Sequence, residues 1–247
     1  MKKISELEAL CQVTANHRCG YLSDQKARIQ FIPLSAVTDE GQFSFLNEHG
    51  YRRSGNYIYR PVCQACSSCI PLRVLSKQFT PSHSQQRCWK KNQDLSVCCT
   101  KPYLNEERYQ LYEKYINTRH RGGEMFPPSA EQFVDFLCES PQWCNFYEFR
   151  NKKGELLAIT AVDHLYKGIA PIYTFFDAGS TSIKRSLGTF CILWLINYAK
   201  CNDIPYVYLG YWIKQCKKMV YKIKFKPCEL LIQGQWCLSS QTSICDN

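Results

Sequence analysis

No segment of the 247 residues is both long and apolar enough to cross a bilayer. The most apolar helix-like run, Phe190 to Ala199, is about half of the ~20 residues that a crossing takes. An apolar signal region is missing as well, because Met1-Lys2-Lys3 is followed by Glu6 and Glu8 where that region would stand. These absences predict a cytoplasmic protein with no membrane partner. A reducing compartment in turn removes disulfides as the explanation for sixteen cysteines, most of which then read as small buried hydrophobes. G-x-S-x-G, a Walker-type loop and H-E-x-x-H are all absent, which excludes those hydrolase, nucleotidase and metalloprotease signatures. There is no internal repeat and no low-complexity tract. Acidic residues are scarce, 21 against 31 Lys and Arg, for a formal charge of +10. That balance suits a polyanionic partner, nucleic acid or acidic lipid, with a merely basic surface as the alternative.

What is present concentrates between Tyr51 and Asn92. Arg52, Arg53 and Arg60 surround the small residues Ser54, Gly55 and Asn56, and Cys63, Cys66 and Cys69 follow in C-x-x-C-x-x-C spacing. Arginine forks bind carboxylate or phosphate in a bidentate way, and glycine lets a ligand approach the backbone. Three thiolates are one short of a closed tetrahedral site, and Cys19, close after His17, is the natural fourth. Zinc and an iron–sulfur cluster both fit four thiolates; reduced cysteines in a tight turn remain the alternative.

Farther along, residues 184–226 carry nine Lys or Arg (Lys184, Arg185 and Lys217, Lys218, Lys222 among them) against one acid, Asp203. Tyr211, Trp212, Tyr221 and Phe225 are interleaved, a pattern that suits a single-stranded RNA end. Asp163 within an apolar strand and Asp177 at the end of the next can orient an amine or take its proton, or equally serve as salt-bridge partners. His120 is a lone histidine and reads as structural.

The periodicities predict helices over Glu40 to Gly50, Pro81 to Asp94, Glu106 to Arg119, Ala130 to Leu137, Thr189 to Lys200 and Lys217 to Lys224. Strands are expected at Tyr57 to Arg60, Ile70 to Phe79, Cys98 to Lys101, Asn145 to Arg150, Leu156 to Leu165, Ala170 to Phe176 and Pro205 to Gly210, with a final one at Glu229 to Gln233. Leu7 to Val13 reads as a short strand or helix. A meander, then glycine, helix, strand, helix and strand, suggests an α+β chain with an N-acetyltransferase-like (GNAT) C-terminal domain over 101–247. A cysteine-containing N-terminal α+β domain would then occupy 1–100.

The segments YRRSGNYIYRP with the cysteine run, FTPSHSQQR with KKN, YEKYINTRHRGGEM, YTFFD, KRSLGTFCILWLI, YVYLGYWI and KKMVYKIKFKP carry a resemblance. In combination they resemble the bacterial aspartate/glutamate leucyltransferase family, relatives of the eukaryotic arginyl-tRNA–protein transferases, from Cys19 to about Glu229. The resemblance implies transfer of leucine from leucyl-tRNA to the α-amine of proteins beginning with Asp or Glu, which creates an N-degron for proteolysis. No cofactor is then required for the chemistry. Arg52, Arg53, Tyr57 and Arg60 would bind the acceptor, and Lys184, Arg185, Lys217, Lys218 and Lys222 the tRNA. Asp163 or Asp177 would hold the attacking amine, and backbone donors in Leu209 to Ile213 would face the oxyanion. Cys19, Cys63, Cys66 and Cys69 would be the metal ligands. His83 and Gln86 stand where the family more often has S-R-S-Q-R-R, so a phosphate contact there is weakened; Cys88, Cys98 and Cys99 look like extras. Arginyl transfer and a non-catalytic cysteine-cluster RNA-binder are the alternatives. An acetyl-coenzyme A transferase is the weaker rival, because Lys184 to Gly188 offers a single glycine for a pyrophosphate loop.

Overall fold

The computed structural model describes residues 9–179 and 182–242. Four short strands come first: β1 (Gln12–Val13), the hairpin of β2 (His17–Arg18) and β3 (Lys26–Ala27), and β4 (Ile29–Pro33). Helix α1 (Glu40–Glu48) begins where the Asp39 carboxylate accepts the N–H of Gln42. The hairpin β5 (Arg52–Ser54) and β6 (Tyr57–Pro61) then joins β4 and β1 in a small sheet ordered β1-β4-β6-β5. After β7 (Ile70–Leu75) comes α2 (His83–Lys91), started by a capping box between Ser82 and Gln85. Next are β8 (Ser96–Thr100), α3 (Glu106–Arg119) and α4 (Ala130–Phe133), which widens into a π-helical turn at Val134–Cys138. The meander β9 (Cys144–Arg150), β10 (Leu156–Leu165) and β11 (Gly168–Phe176) leads to α5 (Leu187–Cys201) and β12 (Tyr206–Trp212). The hairpin β13 (Cys228–Ile232) and β14 (Gln235–Leu238) follows.

These strands make one large mixed sheet in the order β14-β13-β7-β12-β11-β10-β9-β8. Its pairs are antiparallel except β11–β12, which are parallel and joined by the α5 crossover, as a parallel neighbour demands. Helices cover both faces. Ala158 and Val162 of β10 pack with α5 and with Cys88 of α2, whereas Ile159 and Ala161 pack with Leu111, Tyr112 and Ile116 of α3. Burial on both faces is why β10 reads as a nearly unbroken apolar run. A third cluster, with Ile32, Phe43 and Ile58, seats the small sheet on Leu165, Ala170 and Tyr208.

The architecture is thus α+β, as expected, and the expected helices and strands appear with shifts at their ends. The strand expected to be final is followed by β14, because Gln233 and Gly234 both take positive φ (50° and 80°) and turn the chain in two residues. The expected helix at 217–224 is a 3-10 turn confined to Val220–Lys224. Of the element expected at Leu7 to Val13, residues 7 and 8 lie outside the described residues, and the rest contributes β1. The sheet runs across residue 100: β7 and β8 from before it pair with β12 and β9 from after it.

Candidate active site

The site forms where β11 and β12 part. Their pairing is limited to Gly168↔Tyr206 and Ile169↔Val207, so the remaining halves of both strands face each other without a ladder. Two features open them. Pro171 has no N–H to give, and the β10–β11 register shifts beside it: Ala161 pairs with Tyr173 and Val162 with Pro171, so Ile172 is passed over. On the other side, the β12–β7 register breaks between Tyr208 and Gly210, where Gly210 sits at φ 78°.

Arg52 fills the opening from β5. Its Nη2 donates to the Pro171 carbonyl at 2.9 Å, and its Nη1 is buried without a protein hydrogen-bond partner. The side chain belongs to a residue only 7% exposed. Burial lowers its affinity for a proton, and the field of Asp163 is among the influences that raise it. That carboxylate is already engaged: Arg53 Nε and Nη2 donate to its two oxygens at 2.8 Å each. Among the described residues Arg52 enters no ion pair. Tyr173 Oη and Trp212 Nε1, from the unpaired halves of β11 and β12, are likewise buried without a protein partner.

The sites expected from the sequence are only partly brought together. Asp163 is 0% exposed and clamped by Arg53, which also donates to Cys144 Sγ at 3.3 Å. Asp177 follows the opposite end of β11 from Ala170, the residue facing Asp163, so the two carboxylates are about 20 Å apart along the strand. It accepts from Lys114 Nζ at 2.6 Å, from Gly179 N at 3.2 Å and from Ser182 Oγ. Burial opposes its ionisation, but these donors hold its carboxyl below the usual range. Arg60 donates to Gln30 Oε1 at 2.7 Å and stacks on Tyr51. Tyr57, 51% exposed, lines a separate cavity of about 730 Å³ with Pro33, Asn56 and Trp143.

Among the basic residues, Lys184, Lys217 and Lys218 are exposed. Arg185 is turned back onto Asn92 and Asp94. Lys222 is not on that surface: it is 8% exposed and donates to the Tyr211 carbonyl at 2.9 Å. Burial, and then the charge of Arg52, bring its ammonium down to about 7. The sequence signal that could have found this spot is Gly210, a glycine inside an aromatic strand, where another group can come close.

Cys19, Cys63, Cys66 and Cys69 line one small cavity of about 50 Å³ together with Tyr21 and Ile213. Backbone N–H groups of Tyr21 and Arg28 donate to the sulfurs of Cys19 and Cys63 at 3.4 Å each. Burial, then the neighbouring thiols of Cys19, Cys63 and Cys66, push the Cys69 thiol up to about 12. Soft donors sharing one cavity, with N–H groups aimed at sulfur, fit a thiophilic ion or cluster. Their present spacing is looser than a formed centre: among the described residues no three His, Cys, Asp or Glu side chains stand as one.

Comparison with known proteins places the chain. The profile described as arginine-tRNA-protein transferase, N terminus, matches residues 17–87, and that for the C terminus matches 107–232. The chain belongs to the arginine-tRNA-protein transferase family. An aspartate/glutamate leucyltransferase of Pseudomonas putida (strain GB-1) is 45% identical over 223 residues, covering 90% of this chain and 94% of its own. One from Saccharophagus degradans is 44% identical over 238 residues, covering 96% and 98%. Among solved structures, L-PGS from Bacillus licheniformis aligns at a TM-score of 0.46 and 12% identity over 85% of this chain and 71% of that one, too slight a likeness to argue from.

Proposed function

We propose that the protein moves leucine from leucyl-tRNA to the α-amine of cytoplasmic proteins whose first residue is Asp or Glu, marking them for degradation. Relatives of matching length, 45% identical and named aspartate/glutamate leucyltransferases, support the donor and the acceptor. The single observation in this chain that carries the reading is the buried, uncompensated guanidinium of Arg52 between the parted strands. Burying a charge costs several kcal/mol unless a partner arrives, and a substrate carboxylate is that partner.

The reaction is aminolysis of an ester. The neutral amine attacks the leucyl carbonyl, a C–N bond forms, and the C–O bond to the tRNA ribose breaks. One amine proton ends on the departing ribose oxygen, and the proton lost to make the amine neutral goes to solvent. Catalysis then needs positioning and oxyanion donors rather than a covalent nucleophile. Backbone N–H groups within Leu209 to Ile213 would take that role on the β11 edge, where β12 beyond Val207 has no partner; the other edge pairs with β7. An N-acetyltransferase-like fold would use such an opening, with aminoacyl-tRNA in place of an acyl thioester. Exposed Lys184, Lys217 and Lys218 would meet tRNA phosphates. Asp163 would act through Arg53, and Asp177 would hold the loop before α5 rather than take a proton. Cys19, Cys63, Cys66 and Cys69 would hold zinc or an iron–sulfur cluster, which would supply a cross-link between the β2–β3 hairpin and the 63–69 turn.

The test offers leucyl-tRNA and peptides beginning Asp, Glu or Ala to the purified protein. Leucine on the Asp and Glu peptides but not on Ala is the expected result. No transfer with tRNA binding intact would contradict it and favour a non-catalytic RNA-binder.

A further inference from the structure

Arg52 does not stand alone in the opening. A Cβ built on Gly210 would lie 3.4 Å from Arg52 Nε and 3.6 Å from Lys222 Nζ, so two cationic heads converge on one glycine. Lys222 Nζ donates to the Tyr211 carbonyl and Arg52 Nη2 to that of Pro171; Arg52 Nη1 has no protein partner. Among the described residues neither side chain enters an ion pair, and Asp163, whose field reaches Arg52, is held at both oxygens by Arg53. Two buried like charges this close are tolerated only if one discharges or an anion joins them. The low proton affinity of Lys222, due to burial and then to Arg52, is the first outcome in the free protein.

We propose that Arg52 and Lys222, converging over Gly210, form the pocket that reads the side-chain carboxylate of the acceptor's first residue. Lys222 then decides, together with Arg52, between acidic acceptors and their amide counterparts. The substrate named here rests on the transferase reading above; the pocket rests on the geometry. A carboxylate at the end of an extended chain is small enough for a cradle that glycine leaves open. A tRNA phosphate would have to bring its ribose between residues less than a tenth exposed. Replacing a carboxylate by an amide leaves both cations without an anion, and so discriminates strongly.

The experiment uses the full-length protein and two peptides identical except for Asp or Asn at position one. Binding is measured by calorimetry without tRNA, and leucyl transfer to the same peptides is measured separately. The unaltered protein should bind the Asp peptide at least about tenfold more tightly than the Asn peptide. In Lys222→Met and Lys222→Gln that ratio should fall towards one through loss of Asp binding. Gly210→Ala, which occupies the cradle without removing a charge, should also weaken the Asp peptide, and gives an independent reading if the Lys222 variants fail to fold. A ratio unchanged in these variants, an equal loss for both peptides, or weakened tRNA binding with the ratio intact would each overturn the pocket. Asp preference without any transfer would uphold the pocket and remove the transferase reading instead.

Discussion

Arg52 and Arg53 are neighbours on β5 and meet opposite fates. Strand alternation sends them to different faces, so Arg53 reaches Asp163 and Arg52 reaches the opening at Pro171. The sequence made both visible as carboxylate binders; which one keeps its charge for a ligand depends on Asp163, 110 positions away. The same distance effect hid Lys222, which stands in a basic run and reads as surface until β12 folds over it. Asp163→Asn would leave Arg53 buried without its counter-ion, so it should cost about 3–5 kcal/mol in urea unfolding. A variant as stable as the parent, but slow in transfer, would return Asp163 to the chemistry. Lys222 gives a pH signature. Its native ammonium gives up its proton near pH 7, while an unfolded lysine keeps it to roughly 10.4. Between those limits the unfolded chain binds more protons, so this residue's penalty shrinks as pH rises. Arg52, Cys216 and Cys69 act on this group, and burial discourages the nearby phenols of Tyr59 and Tyr211 and the thiol of Cys69 from ionising. The stability gained by Lys222→Met should therefore be largest near neutral pH and narrow towards pH ~9.5; parallel curves would contradict this.

Elements were legible where their signals are local. α3 spans the predicted Glu106–Arg119, capped by Asn105, and the Ser82 hydroxyl starts α2 within the predicted Pro81 to Asp94. β10 also matches its predicted span, Leu156–Leu165. β14 was missed because a two-residue turn at Gln233-Gly234 lacks the Asn-Gly or Asp-Gly signature. The limited contact of β11 with β12 was not legible either, since it depends on which strands become neighbours. Gly168 guards that contact: a Cβ there would stand 2.6 Å from the Tyr208 ring and 2.7 Å from the Tyr206 carbonyl. Gly168→Ala should cost about 1–3 kcal/mol in thermal unfolding and lower transfer, because the parallel pair must spread. Gly154→Ala offers a control: its Cβ would meet nothing within 4 Å, although φ 82° still strains it.

At the scale of the whole molecule, composition and element order were enough for an α+β chain. They could not place β7 between β12 and β13, because strand insertion from 130 residues upstream leaves no local mark. The exposed charge is what an RNA partner would meet. Lys217→Ala and Lys218→Ala should each reduce the slope of log K for tRNA against log salt by about 0.7–0.9, with the peptide discrimination intact. An unchanged slope would place the RNA on another face.

The most direct test of the account offers leucyl-tRNA and arginyl-tRNA together, with an Asp-initiated peptide, and identifies the product by mass spectrometry. Leucine joined to the peptide's α-amine, with arginine absent, is the predicted result. Arginine in that position would keep the reaction and contradict the donor; an unmodified peptide would contradict the reaction itself.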